Sequence, residues 1–596
     1  MSKSMEQLKA EAQAWTEIDP CEETRERALD AINGDDEAAL RDAFGTRIQF
    51  GTAGLRAEMS YGPAKMNDLV IIQTAQGLCT YLIDQLGEAE ACKRGIVLGF
   101  DHRKRGQLNS ERFALLTAAV CLSRSMKVYL FGEFVATPFV PFAIKELNAA
   151  AGVMVTASHN PKNDNGFKVY WGNACQIIPP HDAGIAKSIG ENLKPWEESY
   201  EGVTVESVRS NSLCEDPLSQ IEASYFETVA SKLCRFKEEN SEEASSVRCV
   251  YTAMHGIGHR YAKLAFEAFG HNAFCGTPEQ IEPDPEFPTV AFPNPEEGKG
   301  ALALAMSCAD KNNCDLILAN DPDADRLAVA ERSSDGWKIF SGNEIATLLG
   351  NWQWVNYSKK GGSKGAAMVA STVSSKMLRV MGDKEGFHFA ECLTGFKWIG
   401  NKSLELREQG YDVIFSYEEA IGFCLDDIVP DKDGVSAMTV FAEMAGQLKK
   451  QGKTCAEHLT HLNETYGYLM SNNGYVISQD TALNMKVFKE LNKDGEYPKS
   501  LVNGKYEIVA VRDLLAPGFD SSTTDKVPTL PVGSSPMITF EFGNGAIVTL
   551  RASGTEPKVK WYSELRATDP KEGAAELDAL IEDGIKGELL RELISK

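Results

Sequence analysis

No stretch of this 596-residue chain offers the roughly 18 uninterrupted apolar residues that a membrane-crossing helix needs, so composition excludes a membrane span. The opening residues, MSKSMEQLKAEAQAW, read as a polar helix and lack the apolar core of a secretion signal, which points to a cytoplasmic protein. Cysteine is present, 14 in all, but no two form a C-x-x-C pair and no histidine lies at zinc-ligand spacing from two of them. Zinc ribbons and dithiol redox motifs are therefore excluded, and the thiols are expected to be small buried hydrophobes in a reducing compartment. Positive charge is scarce as well: 61 Lys and Arg face 85 Asp and Glu, a net charge of −24. That balance excludes nucleic acid as the main partner. It also repels anions in general, so any phosphate site has to be built locally from Arg, Lys and backbone N–H groups.

The chain is far too long for one core. Residues 1–44 read as a helical extension, with helices over 5–15, 21–32 and 36–44 broken at Asp and Pro. Beyond it, short β-branched runs alternate with amphipathic helices. Strands are expected at 95–100, 126–131 and 153–156, again at 248–253 and 314–319, and again at 366–370 and 413–416. This alternation predicts three similar α/β domains with mixed, mostly parallel sheets, over residues 45–208, 209–337 and 338–468. Residues 469–596 read as a smaller α+β domain. Its first part, 471–535, is rich in Gly, Pro, Ser and Asp and reads as linker-like, and a hairpin is expected through Gly543-Asn544-Gly545.

Three loops that follow strands carry candidate chemistry. The apolar run 314–320 leads into Asp321-Pro322-Asp323-Ala324-Asp325-Arg326, where three carboxylates at i, i+2 and i+4 can converge on a hard divalent cation. An EF-hand is excluded, because the sixth loop position is Arg326 and the twelfth Arg332. Mg²⁺ suits a site with few protein oxygens and an incoming phosphate. The second loop, Thr156-Ala157-Ser158-His159-Asn160-Pro161, delivers a serine into a turn dense in Asn, Asp, Lys and Gly. No G-x-S-x-G elbow surrounds it, and His159 reads as a supporting loop group rather than as the base of a triad. A phosphoryl group on Ser158 would add charge near −2 and three oxygens, filling a gap on a neighbouring cation. The third loop, Arg551-Ala552-Ser553-Gly554-Thr555, has the cation, hydroxyls and exposed N–H groups that a terminal phosphate wants.

Together TASHNP, DPDADR and RASGTEP, with GTAGLR and YEEAIGF, resemble the α-D-phosphohexomutase family over about residues 51–564, in its eukaryotic phosphoglucomutase/phosphopentomutase branch. The resemblance implies four domains around a central cleft, each giving one loop. It implies that Ser158 is the phosphorylated serine and that Asp321, Asp323 and Asp325 hold Mg²⁺ together with the serine's phosphate. Arg56 and Lys168 would lie near the phosphoserine, with Lys168 a candidate proton shuttle. Glu418 and its neighbours would grip sugar hydroxyls, while Arg551, Ser553, Gly554 and Thr555, helped by Lys432, would hold the non-reacting phosphate. Arg326, Thr394 and Lys397 would complete the cleft. One departure stands out: many glucose-specific members have Glu-Glu-Ser in the sugar loop, and this chain has Glu418-Glu419-Ala420. A lost sugar hydrogen bond is worth about 0.5–1.5 kcal/mol, which opens the site to pentose phosphates.

The implied activity is a mutase that moves phosphate between the 1-position and the 5- or 6-position of a sugar. It would run through a sugar 1,6-bisphosphate that turns around in the cleft of a monomer or weak dimer. The same family contains a glucose-1,6-bisphosphate synthase and phosphomannomutases, which remain alternatives. A phosphatase of the haloacid-dehalogenase type, with Asp321 as nucleophile, is the rival from another class. Its Asp-x-Asp signature wants Thr or Val two residues on, where this chain has Asp325.

Overall fold

A computed structural model of the protein describes residues 3–51, 54–361, 365–477, 481–493, 495–533, 535–552 and 558–594. They divide into two compact units, one of residues 1–361 and 395–455, the other of 362–394 and 456–596. No helix among the described residues is long and apolar enough to cross a membrane.

The first unit opens with the expected helical extension, Met5–Thr16, Glu22–Asn33 and Glu37–Phe44. Ser4 caps the first helix by a reciprocal pair of bonds with Gln7, and Asp36 caps the third through Ala39 N–H. Their apolar faces close on one another through Leu8, Ala12, Trp15, Ala28, Leu40 and Phe44, with Tyr61 and Leu69 completing the cluster.

Two mixed sheets follow in this unit. The first runs Gly54–Glu58, Asp164–Trp171, Ala151–Val155, Ile96–Phe100, Val128–Leu130, Cys214–Glu215. Its central members are parallel, while Asp164–Trp171 is antiparallel to both neighbours. The second runs Cys275–Gly276, Cys249–Thr252, Leu316–Ala319, Ala328–Ser333, Gly336–Ile339, with parallel pairing on one side of Leu316–Ala319 and antiparallel on the other. Ile96–Phe100, Ala151–Val155 and Leu316–Ala319 are buried along their whole length. Strands covered on both faces read as continuous apolar runs, which is why these were recognisable. Asp164–Trp171 was not: its first residues are the Asp, Asn and Gly of an apparent loop, and only pairing with Ala151–Val155 makes it a strand. The unit also holds the hairpin Asp412–Glu418/Gly422–Leu425 and the long buried helix Gly434–Lys450.

In the second unit, Ala366–Ser371 pairs in parallel with His388–Cys392. A largely antiparallel sheet is ordered Tyr468–Ser471, Lys558–Ala567, Ile547–Ala552, Met537–Phe542, Tyr506–Asp513, Ser500–Leu501. The hairpin of Met537–Phe542 and Ile547–Ala552 is the expected one. Residues 471–535 are not a linker: they hold Gly474–Ile477, Thr481–Leu491 and Tyr506–Asp513, the last a full member of the sheet. Short, half-exposed strands between Gly- and Pro-rich turns carry too few apolar residues to stand out from the turns.

Candidate active site

Ser158 lies three residues past the buried strand Ala151–Val155, with a positive φ of 52°. The left-handed backbone costs a non-glycine residue about 1–2 kcal/mol, so its surroundings must impose it. They do so from both sides. The Ser158 N–H donates to Thr156 Oγ1 at 2.9 Å, and its carbonyl accepts from the buried guanidinium of Arg103 at 2.6 Å. The hydroxyl, on a residue only 2% exposed, donates to Asp321 Oδ2 at 2.8 Å and lies 3.2 Å from His159 Nδ1.

The aspartate loop that meets it follows Leu316–Ala319. Asn320 closes the loop by donating to the Arg326 carbonyl, and Asp321 accepts from Arg326 N–H, so the chain folds back within six residues. Gly256 lets a second loop approach: a Cβ there would lie 2.3 Å from Pro322 Cα. Asp321, Asp323 and Asp325 are all fully buried, each offering an oxygen within 4.8 Å of the others. At an effective dielectric near 20, each such pair repels by about 3 kcal/mol if charged, so cations must be close. Lys168 Nζ lies 2.6 Å from Asp323 Oδ2 and 3.0 Å from Asp325 Oδ2; Lys432 Nζ lies 3.0 Å from the same Asp325 oxygen. Thr137 Oγ1 donates to Asp323 Oδ2 at 2.6 Å.

These partners use the Oδ2 atoms. Asp323 Oδ1 and Asp325 Oδ1 are buried with no hydrogen-bond partner among the described residues. Buried, orphaned carboxylate oxygens beside a third aspartate are what a hard divalent cation requires, so the donor set fits the metal the sequence suggests. The electrostatics agree. Burial opposes ionisation of Asp323, but Lys168 wins and holds it below the usual carboxylate range. Burial and the Asp323 charge oppose ionisation of Asp325, and Lys168, Lys432 and Arg326 prevail there too. At Asp321, burial and then the Asp323 and Asp325 charges push the carboxyl well above its ordinary value, more than Arg326 offsets. The trio thus resists carrying three full negative charges by itself, and a divalent ion would relieve that repulsion.

Comparison with known proteins supplies the family. The phosphoglucomutase/phosphomannomutase α/β/α domains I, II and III match residues 47–195, 223–336 and 341–466. A mouse protein named phosphopentomutase is 46% identical over 589 residues, 96% of this chain and 93% of that protein. The chain belongs to the phosphoglucomutase/phosphomannomutase family. A human member named glucose 1,6-bisphosphate synthase is 44% identical, over 96% of this chain and 93% of its own length. The crystal structure of a family protein from Burkholderia thailandensis shares the fold, with a TM-score of 0.63 at 18% identity over 91% of this chain and 97% of its own. Membership sets aside the haloacid-dehalogenase alternative.

The other candidate residues of this family member fall as follows. His159 is buried; burial, then Arg326 and Arg56, hold its imidazole well below its usual pKa and hence neutral. Lys168 is held above its usual value: burial opposes the charge, but Asp323 and Asp325 outweigh it. Arg56, on Gly54–Glu58, is exposed and donates to Asn160 Oδ1 at 3.0 Å, at the rim of the serine loop. Arg326 Nε lies 3.9 Å from both Asp321 and Asp325. Lys432, assigned above to the distal phosphate, has its ammonium at the aspartate trio. Glu418 ends the strand Asp412–Glu418; burial raises its carboxyl to about 7 against the pull of Lys432 and Arg326. Ala420 sits in the turn between Glu418 and Gly422, and a Cβ at Gly422 would collide with the Lys432 stem at 2.4 Å. Lys397 is in the first turn of helix Phe396–Glu408. Thr394 and Arg551 belong to the second unit, Arg551 near the end of Ile547–Ala552. Ser553, Gly554 and Thr555 lie outside the described residues.

Several contributors went unnoticed in the sequence. Arg103 and Asp101 sit just past the end of Ile96–Phe100, the position where open α/β sheets place functional groups, and that signal could have found them. Thr137 has no such signal. Nor does Tyr170, whose phenol donates to Asp431 Oδ2 at 2.7 Å while Asp431 Oδ1 accepts from Lys432 N–H.

Proposed function

We propose that this phosphosugar mutase transfers phosphate through an ester on Ser158, and that ribose and deoxyribose phosphates are preferred substrates, with glucose phosphates also turned over. The observation that carries the serine assignment is the 2.8 Å bond from Ser158 Oγ to Asp321, in a trio with two orphaned oxygens. The pentose preference is supported by Ala420 in the sugar hairpin and by relatives whose names specify phosphopentomutase and phosphoribomutase.

Asp321, Asp323 and Asp325 would hold Mg²⁺, which supplies Lewis-acid polarisation of a phosphoryl oxygen and offsets its charge. The residues around it do the rest. A free hydroxyl of the sugar monophosphate attacks the phosphorus, the P–O bond to Ser158 breaks, the hydroxyl's proton passes by way of Lys168 to the departing Ser158 oxygen, and the sugar becomes a bisphosphate. Lys168, protonated at neutral pH, suits donation of a proton to the departing Ser158 oxygen and neutralisation of charge beside it. Neutral His159, 3.2 Å from that oxygen, orients the hydroxyl. Glu418 accepts hydrogen bonds from sugar hydroxyls when ionised. Arg551 and the loop after it would take the distal phosphate, and the return transfer to Ser158 runs the same steps backwards after the bisphosphate has turned.

The test is Ser158→Ala supplied with sugar bisphosphate. Turnover should fall on the order of 10⁴-fold or more, and near-wild-type turnover would end the proposal. Measuring kcat/KM on ribose, deoxyribose, glucose and mannose 1-phosphates, with net bisphosphate synthesis assayed in parallel, decides the substrate. A glucose preference, or dominant bisphosphate synthesis, would overturn the pentose assignment.

A further inference from the structure

Arg103 is buried, its side chain fully so, and its guanidinium spends its donors on main-chain carbonyls. One terminal nitrogen donates to the carbonyls of Ser158 at 2.6 Å and Asn160 at 2.8 Å; the other donates to Pro161 at 2.8 Å and Asp164 at 3.0 Å. Four carbonyls of one seven-residue loop thus converge on one cation. Behind it, Asp101 Oδ2 lies 3.4 Å from Nε, and Asp101 Oδ1 accepts from Ser110 Oγ and from Arg103 N–H. The Phe287 ring covers the guanidinium at 5.3 Å.

We propose that Arg103 is a positioning residue for phosphoryl transfer. It holds the left-handed turn at Ser158 and so aims Oγ at the aspartate trio, without itself meeting the sugar. The proposal rests on the assignment of Ser158 as phosphate carrier. The chemistry favours it for three reasons. Bonds from a charged donor to carbonyls are stronger than neutral ones, and burial strengthens them further. Only a planar fork with five donors can gather four carbonyls while a fifth N–H faces a carboxylate; an ammonium has three donors and no plane. The residue that most needs restraint, Ser158, receives the shortest of the four bonds. All the loop's bonds to Arg103 use backbone, which leaves the Ser158 and His159 side chains to the reaction.

The experiment compares wild type, Arg103→Lys and Asp101→Asn, each loaded on Ser158 with glucose 1,6-bisphosphate and checked for folding by near-ultraviolet circular dichroism. A misplaced phosphoserine should transfer poorly while leaking to water. For Arg103→Lys, kcat should fall about 100-fold with KM within about threefold of wild type, and the ratio of transfer to hydrolysis should fall roughly tenfold. A merely structural role would lower the folded fraction and leave that ratio unchanged. Folded Arg103→Lys with wild-type kcat and ratio overturns the proposal. If Arg103→Lys does not fold, Asp101→Asn decides: a fall in kcat of threefold or more at unchanged KM supports the proposal, and wild-type kinetics overturn it. Wild-type protein that transfers no phosphate at all sinks the Ser158 reading and this proposal with it, whereas wild-type transfer with unaffected variants sinks this proposal alone.

Discussion

The serine loop and the aspartate loop meet at one hydrogen bond, yet they are held in opposite ways. The serine loop is fastened through its backbone, by Arg103 on four carbonyls, and its hydroxyl takes no part in that fastening but meets Asp321. The aspartate loop is fastened largely through its side chains, by Lys168, Lys432 and Thr137 on the Oδ2 atoms, and only Oδ1 atoms are left over. The difference follows from charge. A neutral hydroxyl is satisfied by its bond to Asp321, whereas three buried carboxyl groups repel one another when charged and need cations close by. In the first loop structure and chemistry reside in different atoms; in the second they reside in the same groups.

That contrast can be broken by substitution. Ser158→Ala should abolish turnover while leaving the melting temperature within about 2 °C, since the loop is held by its backbone and the hydroxyl contributes one hydrogen bond, about 1 kcal/mol. Asp325→Asn should lower kcat roughly 10²–10³-fold and also destabilise the fold, because it removes one of the two carboxylates beside each of the buried ammonium groups of Lys168 and Lys432. Equal thermal stability of the two variants would erase the distinction. Chelation should mimic the activity loss of Asp325→Asn reversibly, with divalent ion restoring it. Lys168→Met should cost about 10²-fold in kcat, the range of a lost proton donor, and a normal kcat would remove it from the chemistry.

The hairpin Asp412–Glu418/Gly422–Leu425 supplies a third, gentler case. Glu418 is raised from 4.5 to about 7 by burial, so the folded protein binds its proton more tightly than the unfolded chain. Stability from this group is complete below pH 4.5 and is lost as pH rises through 7. Glu418→Gln should therefore gain roughly 1–3 kcal/mol on wild type at pH 8 and little at pH 4.5, read from denaturant midpoints. A pH-independent difference would contradict the burial assignment. The smallest effect is expected at Ala420: Ala420→Ser should move the glucose-to-ribose kcat/KM ratio toward glucose by about 2–10-fold, the value of one hydrogen bond. An unmoved ratio would place sugar selection elsewhere.

Much of this site was legible because its parts follow fully buried strands. Apolar runs such as Leu316–Ala319 stand out, and the charged turn that ends one is conspicuous. The strand Asp164–Trp171 and the elements within 471–535 were not legible, because their burial is partial and their composition is that of turns. The supporting residues were hidden for another reason. Arg103 meets Ser158 across 55 positions, Thr137 meets Asp323 across 186, and Tyr170 meets Asp431 across 261, and no local pattern reports such pairs.

What the amino-acid order determined alone was the set of side chains on offer: a serine in a tight polar turn, three carboxylates at alternate positions, and an Arg-Ala-Ser-Gly-Thr stretch, each at the end of an apolar run. Only tertiary structure decided that the first two would meet, since hydrogen bonds and charge repulsion act over a few ångströms while Ser158 and Asp321 stand 163 residues apart. It also decided which oxygens would remain unpartnered, because that depends on where Lys168, Lys432 and Thr137 arrive from their own elements.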